Sequence, residues 1–124
     1  MNELETNVVC KLTDFGFVKA LDKNEKATTI LGTAHYMAPE LVKNQEYDSK
    51  VDIWALGVLT YIIMTGTEPF KGRNQAEVFE AIKNKNLNYE PLKDFYMKGQ
   101  HIRSFLVECF ATSPKNRQTA EQLL

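Results

Sequence analysis

The sequence contains only two cysteines in 124 residues, Cys10 and Cys109. They lie far apart, and neither belongs to a Cys-x-x-Cys pair or has a pair of histidines nearby. This spacing favours two reduced thiols, packed as small apolar groups, over a disulfide or a metal site. We therefore expect an intracellular protein, located in the cytoplasm.

The sequence also lacks a charge excess, a leader and a membrane span. Its formal net charge is −1, without a basic cluster, which gives no reason to expect a nucleic-acid partner. The opening MNELETNVVC contains acidic residues and no long apolar core, unlike a signal peptide. No apolar run reaches the roughly 20 residues that a bilayer helix needs. The length suits one domain or a piece of a larger one.

The longest apolar stretch runs from Ser49 to Gly66, and nearly every residue between Val51 and Met64 is apolar. Its length is too great for a typical strand, so it predicts a helix over about 49–66. Ser49-x-x-Asp52 resembles a capping box at the start, and Gly66 is a stop signal. A helix that is apolar on all sides belongs in the middle of a domain. We therefore expect a buried central helix.

Other stretches predict shorter elements around this helix. Asn7–Thr13 favours a short strand, and Pro39 can open a short helix. Amphipathic stripes predict one helix over about Gln75–Lys83 and another that carries Ile102, Phe105, Leu106, Cys109 and Phe110. Thr119-x-x-Gln122 predicts a second capping box. Lys19–Leu31 and Leu87–Gly99 show no stripe and are interpreted as a loop and a connector.

Four motifs then occur in one order along the chain. They are Asp14-Phe15-Gly16, the stretch Gly32–Glu40 (GTAHYMAPE), the stretch Asp52–Gly57 (DIWALG), and Arg117. Alone, the tripeptide is weak evidence, because a carboxylate before a glycine is more often a plain turn. Together the four resemble the C-terminal lobe of a eukaryotic-type serine/threonine protein kinase over essentially the whole chain. The fold expected from this resemblance is α+β and mainly helical, built around the central helix, with one short strand near the N-terminus.

The resemblance assigns a cofactor role to the first motif. Asp14 would hold Mg²⁺ against the phosphates of ATP, because a hard carboxylate oxygen suits a hard cation. Phe15 would pack under Asp14, and Gly16 would allow the turn that aims Asp14. ATP, Mg²⁺ and a protein substrate are the partners that this resemblance implies.

The resemblance assigns positioning roles to the other motifs. Thr33 would hydrogen-bond the catalytic aspartate, and Gly32–Tyr36 would form the wall that receives the substrate. Glu40 and Arg117 would form a buried ion pair that fastens the far end of this loop to the last helix. Asp52 would accept backbone N–H groups from the catalytic loop, and Trp54 belongs to the same helix motif.

Thr29, with Thr28 beside it, lies where many members of this family carry an activating phosphate. Lys19 lies where the family places one cationic partner for that phosphate. A phosphate would add about −1.5 to −2 charges and could order residues 19–31. The alternative, that both threonines are ordinary polar loop residues, remains open at this point. His35 and His101 have no metal or nucleophile partner in the pattern, so we interpret both as structural or exposed.

Several family elements are absent from the sequence. It contains no Gly-rich loop with a downstream lysine before Asp14, and no H-R-D-x-K-x-x-N stretch. We interpret residues 1–124 as an incomplete kinase domain: strand and D-F-G at 1–16, activation and substrate loop at 17–40, helical subdomain at 41–124. We expect this chain alone to be inactive. We also expect missing kinase segments, or a partner, to cover the central helix.

Two other functions remain as alternatives. The chain could be a non-catalytic kinase-like binding module, such as a pseudokinase scaffold. It could also be a helical interaction domain unrelated to kinases. The four ordered motifs favour the kinase over both.

Overall fold

The computed structural model describes residues 9–15, 34–93 and 101–124. The α-helices there are α1 (Pro39–Val42), α2 (Lys50–Thr65), α3 (Gln75–Lys83), α4 (His101–Cys109) and α5 (Ala120–Leu123). Two 3-10 turns occur at Ala34–Tyr36 and Glu90–Leu92. Beyond one bridge residue, Tyr47, the described residues contain no strand. The protein is thus mainly helical, as expected.

The central helix α2 matches the predicted span, but its N-terminal cap differs from the prediction. Ser49 makes no side-chain capping bond, so the predicted capping box is wrong. The carboxylate of Asp48 accepts the backbone N–H of Lys50 at 2.9 Å instead. At the other end, Gly66 has φ of 69° and its N–H donates to the carbonyl of Ile62. This left-handed conformation is inexpensive only for glycine, which confirms the predicted stop.

The other predicted helices are formed, each for a recognisable local reason. Pro39 occupies the first turn of α1, where a missing N–H costs nothing. The side chain of Asn74 caps α3 by accepting the N–H of Glu77 at 3.0 Å. The capping box of Thr119 and Gln122 at the start of α5 is confirmed, with both reciprocal bonds present.

An apolar core forms where α2 packs against α4 and against the Ala34–Tyr36 turn, while α1 packs against α3. Trp54 lies at its centre, stacked on Phe70 at 5.3 Å between ring centroids and edge-on to Phe110 at 5.1 Å. The fully buried residues around these rings include Val58, Tyr61, Ile82, Leu92 and Leu106. Leu92 therefore belongs to the core, although it lies in the segment interpreted as a polar connector.

The core requires a close approach between α2 and α4. A Cβ atom added to Gly57 would lie 2.7 Å from Cβ of Cys109 and 3.1 Å from the ring of Phe110. Only a residue without a side chain allows this spacing. Cys109 itself is fully buried, as expected, whereas Cys10 is exposed, so the expectation of two packed thiols is wrong for Cys10.

The expected strand at Asn7–Thr13 is not formed in residues 9–13, the part of it that the structure describes. The side chains of Val9 and Leu12 are 74% and 87% exposed. A strand needs a neighbouring strand for its backbone hydrogen bonds, and residues 9–15 have none among the residues 9–15, 34–93 and 101–124. Asn7 and Val8 lie outside the described residues.

Candidate functional site

Asp14, the residue expected to bind the metal, lies within the described residues. Its backbone has φ of 62°, and its side chain is exposed. Such a conformation is uncommon for a residue other than glycine, and strained positions concentrate at functional sites. No group of three or more His, Cys, Asp or Glu side chains suitable for a metal occurs among the described residues. Asp14 alone fits one ligand of a magnesium ion that is otherwise held by water and phosphate oxygens.

Phe15 does not pack as the family resemblance implied. Its side chain is 64% exposed, so it is not buried beneath Asp14. An aromatic ring gains its packing energy only where other side chains surround it, and residues 9–15 form no element that could do so. The two residues therefore present a carboxylate and an aromatic ring to solvent.

The remaining residues of the expected loop site lie outside the described residues. These are Gly16, Lys19, Thr28, Thr29, Gly32 and Thr33. Their proposed roles in metal binding, activation and catalysis rest on the sequence alone.

The segment from Ala34 to Glu40 contains the described part of the expected substrate wall, residues 34–36, and joins it to α1. It begins with a 3-10 turn in which the N–H of Met37 donates to the carbonyl of Ala34 at 3.2 Å. Tyr36 keeps 38% of its side chain exposed, whereas Ala38 is fully buried. This segment is therefore anchored at its C-terminal end and exposed near Tyr36.

His35 lies in the same turn, near an acidic side chain from another loop. Its Nδ1 is 3.3 Å from Oε2 of Glu68, an approach without hydrogen-bond geometry. The side chains of His35 and Glu68 are 33% and 50% exposed. The contact joins the 34–36 turn to the loop that follows α2. His35 has a structural contact, in keeping with its interpretation from the sequence.

A buried ion pair joins Glu40 on α1 to Arg117 near the C-terminus. The guanidinium donates from Nη1 and Nη2 to the two carboxylate oxygens at 2.6 and 2.9 Å, while the two residues are only 1–2% exposed. Arg117 also donates to the carbonyls of Lys50 at 2.9 Å and Ala111 at 3.1 Å. These bonds use most of the fork of donors that arginine offers. They lock α1, the start of α2 and the 111–117 loop into one unit.

Trp54 completes the surroundings of this ion pair. The guanidinium carbon of Arg117 lies 5.2 Å from the centre of the indole ring, within the range of a cation–π contact. The indole Nε1 is buried and makes no hydrogen bond with any residue that the structure describes. Within that part of the chain, Trp54 therefore contributes packing and a cation–π contact, and one buried donor without an acceptor.

Asp52 lies at the N-terminal end of an exposed stripe on α2. Leu56, Leu59 and Ile63 follow it at helical spacing and are 41%, 46% and 73% exposed. Although Asp52 reaches solvent, partial desolvation by its surroundings raises the pKa of its carboxyl. The carboxyl makes no hydrogen bond within the described residues. No described residue packs over this stripe, in keeping with the expectation that part of α2 would be left for missing kinase segments or a partner to cover.

The sequence interpretation missed two features of this site. Lys50 fastens the same unit from another side, because its Nζ donates to the carbonyl of Pro114 at 2.9 Å and its own carbonyl accepts from Arg117. Phe70 forms part of the Trp54 cluster. The sequence offers one signal for the place of Phe70 in this cluster, since it is an aromatic residue directly after Pro69. No pattern marks a lysine whose partners are backbone carbonyls.

Comparison with known proteins extends these observations. The family model described as "Protein kinase domain" matches residues 2–124. The chain is 34% identical to the calcium/calmodulin-dependent protein kinase cmkB of Emericella nidulans, over 97% of the chain and 30% of the relative. It is 39% identical to the Aurora kinase of Eremothecium gossypii, over 82% of the chain and 27% of the relative. It is 34% identical to serine/threonine-protein kinase 17A of Oryctolagus cuniculus, over 92% and 28%. The chain thus spans less than a third of each relative's length.

Proposed function

Because this chain belongs to the protein kinase family, we propose that it is the C-terminal-lobe part of an ATP-dependent kinase that phosphorylates serine and threonine in proteins. The match of the family model over residues 2–124 is the observation that carries this proposal. Serine/threonine kinases among the relatives and the Gly32-Thr33-x-x-Tyr36 pattern favour Ser and Thr over Tyr as acceptors. We place the enzyme in the cytoplasm, as the sequence interpretation does. Among the residues that the structure describes, none of the helices could span a bilayer.

In this proposal the first motif binds the cofactor. Asp14 supplies one oxygen ligand to Mg²⁺, and Phe15 and Gly16 complete the motif beside the phosphates of ATP. The metal, when bound, neutralises charge on the phosphates. The positive φ of Asp14 supports this role, since a chain holds such a conformation at a cost.

The second motif positions the protein substrate. Thr33 orients the catalytic aspartate, and the Gly32–Tyr36 wall receives the substrate chain. The buried pair of Glu40 and Arg117 supports this arrangement, because it fixes the residues that follow the wall to the helical subdomain. Phosphoryl transfer depends on positioning and fixed charge, so a rigid wall serves it directly.

The loop between these motifs supplies regulation. Phosphorylation of Thr29, or of Thr28, orders the loop by pairing with Lys19. An intact kinase with Thr29→Ala should remain less active than the unsubstituted enzyme after full activation, as measured by turnover. Equal turnover of the two enzymes would rule out this role.

The exposed stripe on α2 supports the proposal that this chain works with further kinase segments. The carboxyl of Asp52, at the N-terminal end of the stripe, makes no hydrogen bond within the described residues. In this proposal it accepts backbone N–H groups from the catalytic loop. Such bonds would lower its raised pKa. Without these segments, one candidate metal-binding carboxylate cannot supply the charges of phosphoryl transfer, so the chain alone is inactive.

The test uses the intact protein with labelled ATP, Mg²⁺ and a serine- and threonine-rich acceptor protein, followed by identification of the phosphorylated residues. We expect phosphoserine and phosphothreonine, with a rate loss of at least about a hundredfold for Asp14→Asn. Glu121→Gln, an exposed carboxylate on α5, is the matched control and should leave the rate unchanged. The 124-residue chain should transfer no phosphate.

The second candidate function is a non-catalytic binding module, favoured by the exposed apolar stripe of α2. In that case neither the intact protein nor its Asp14→Asn variant would transfer phosphate. Transfer by the 124-residue chain alone would contradict the proposed need for further segments.

A further inference from the structure

Ser113 and Pro114 lie in the loop between α4 and α5, and no kinase role was assigned to either residue above. Ser113 is exposed, and the stretch around it forms neither helix nor strand. Its hydroxyl makes no hydrogen bond within the described residues. Of the four prolines in the sequence, only Pro114 directly follows a residue with a hydroxyl group. Ser113 is therefore an accessible hydroxyl on a surface loop with a distinctive neighbour.

Two cationic side chains are bonded to the backbone on either side of Ser113. Nε of Arg117 donates to the carbonyl of Ala111 at 3.1 Å. Nζ of Lys50, a half-buried side chain, donates to the carbonyl of Pro114 at 2.9 Å. The carbonyl of Ser113 accepts the backbone N–H of Arg117 at 3.2 Å, which fixes the turn between them. Both cations are thus held close to Ser113 in the folded chain.

Only one of these two cations has an anionic partner. The guanidinium of Arg117 is matched by the carboxylate of Glu40 at 2.6 and 2.9 Å. The ammonium group of Lys50 holds a neutral carbonyl and makes no ion pair with any carboxylate that the structure describes. A hydrogen bond between two ionised groups is shorter and stronger than one to a neutral acceptor. Lys50 is therefore a fixed cation that can exchange its carbonyl for a stronger acceptor.

We propose that Ser113 is phosphorylated by a kinase that requires proline directly after the acceptor residue, and that the phosphate binds Lys50. Because proline has no N–H, such a kinase binds the ring in an apolar pocket and forms no backbone hydrogen bond there. The hydroxyl oxygen of Ser113 forms a bond to the γ-phosphorus of ATP held by that kinase. The bond between this phosphorus and the β,γ-bridging oxygen breaks, ADP leaves, and a base of the modifying kinase takes the hydroxyl proton.

The phosphate would add about −1.5 to −2 charges and three strong acceptor oxygens beside Lys50. An ion pair between mobile surface groups contributes little, because both side chains lose conformational freedom. Lys50 is already held by the residue next to Ser113, so this loss is smaller here. Phosphorylation therefore fastens the start of α2 to the loop more firmly. The proposal is independent of the proposed catalytic function, because it concerns this chain as the substrate of another kinase.

The first experiment incubates the 124-residue chain with ATP, Mg²⁺ and a purified proline-directed serine/threonine kinase, and locates the phosphate by mass spectrometry. We expect phosphate on Ser113, at a rate that Pro114→Ala lowers at least about tenfold because the ring no longer fills its pocket. Ser104, an exposed serine followed by phenylalanine, is the internal control and should remain unmodified. A folded chain without phosphate on Ser113 would overturn the proposal. Phosphate on Ser113 only in the destabilised Arg117→Met chain would overturn it as well.

The second experiment compares the urea midpoints of the phosphorylated and unmodified chains, followed by the emission of Trp54. Phosphorylation should raise the midpoint by about 0.5 M, as expected for one or two new charge-assisted hydrogen bonds. Lys50→Met should abolish this rise and Lys50→Arg should retain it. Lys71→Met, which removes an exposed lysine in the loop before α3, is the matched control and should also retain it. An equal rise in Lys50→Met, or no rise in the unsubstituted chain, would refute the role of Lys50.

A third measurement does not depend on whether Lys50→Met folds. Phosphorus NMR should show the phosphate of the folded chain titrating at lower pH than the same phosphate in urea, because a neighbouring cation favours the dianion. Identical titrations in the two conditions would show that the phosphate has no cationic partner, and the proposed contact would then be wrong.

Discussion

Replacing Arg117 with methionine should remove most of the stability of this fold. The substitution keeps an unbranched apolar side chain of similar length but removes all the donors. Glu40, which is 2% exposed, would then hold a buried carboxylate without a partner. The carbonyls of Lys50 and Ala111 would each lose the donor that they now share with it.

The expected loss is about 3–5 kcal/mol, the usual cost of removing one partner of a buried ion pair. The two carbonyls would add a further penalty if water cannot reach them, at about 1–3 kcal/mol each, although such terms are not additive. The free energy of unfolding of a whole domain is only about 5–15 kcal/mol. The variant should therefore be largely unfolded, or close to it, at room temperature.

Trp54 provides the assay, because it is the single tryptophan of the sequence and lies 5.2 Å from the guanidinium. Its emission, followed through a urea titration at low protein concentration, reports the unfolding of this part of the core. Low concentration limits the association expected from the exposed stripe on α2.

Arg73→Met is the matched control for this substitution. Arg73 binds Glu77 at 2.6 Å, as closely as Arg117 binds Glu40, but its side chain is 89% exposed. Since an exposed ion pair contributes little to stability, Arg73→Met should change the urea midpoint little. Equal effects of the two substitutions would refute the argument that burial sets the cost.

The double substitution of Glu40→Leu with Arg117→Met tests the same reasoning from the other side. It removes the stranded charge, so it should recover part of the stability lost in Arg117→Met. The stability losses of Glu40→Leu and of Arg117→Met are measured separately for comparison. A double variant that loses the sum of these two values would show that the ion pair acts only through packing.

Three further predictions concern other parts of the chain. Gly57→Ala should lower the urea midpoint although alanine favours helices, because a Cβ there would approach that of Cys109 to 2.7 Å; a higher midpoint would contradict this. At pH 8 a thiol reagent should modify the exposed Cys10 in the folded chain and both thiols in urea, since burial raises the pKa of Cys109 to about 11; equal rates in the folded chain would be evidence against it. Hydrogen bonds from Arg73 lower the pKa of Glu77. The ion pair should therefore stabilise the fold at pH values above the ordinary pKa of glutamate, and this stabilisation should be lost as the pH falls through the lowered pKa. Carbon NMR should show Glu77 titrating at higher pH in Arg73→Gln, and identical titrations would refute the pairing.

The helices of this fold could be predicted because their signals are local. The span of α3 follows from its apolar stripe, and Gly66 and Thr119 mark a helix end and a helix start through their own backbone or side chain. The start of α2 shows the limit of this reasoning. Asp48 and Ser49 are both good capping residues, and only the backbone conformation, which is helical at Ser49, decides between them.

The failures concern features that depend on distant residues. A strand at residues 7–13 needs a partner strand, which its own sequence cannot reveal. The buried position of Leu92 follows from the packing of its neighbours, since its polar surroundings in sequence give no stripe. The pairing of Glu40 with Arg117 came from the family resemblance, because no periodicity links two charges so far apart.

The distance in sequence between Glu40 and Arg117, 77 residues, has a consequence for biosynthesis. At about 5–20 residues per second, a ribosome needs roughly 4–15 s to add the arginine after the glutamate. Throughout that interval the carboxylate of Glu40 lacks its cation and stays hydrated, so the segment from Ala34 to Glu40 is not yet fastened to the helical subdomain. This segment should therefore be among the last parts of the nascent chain to become rigid.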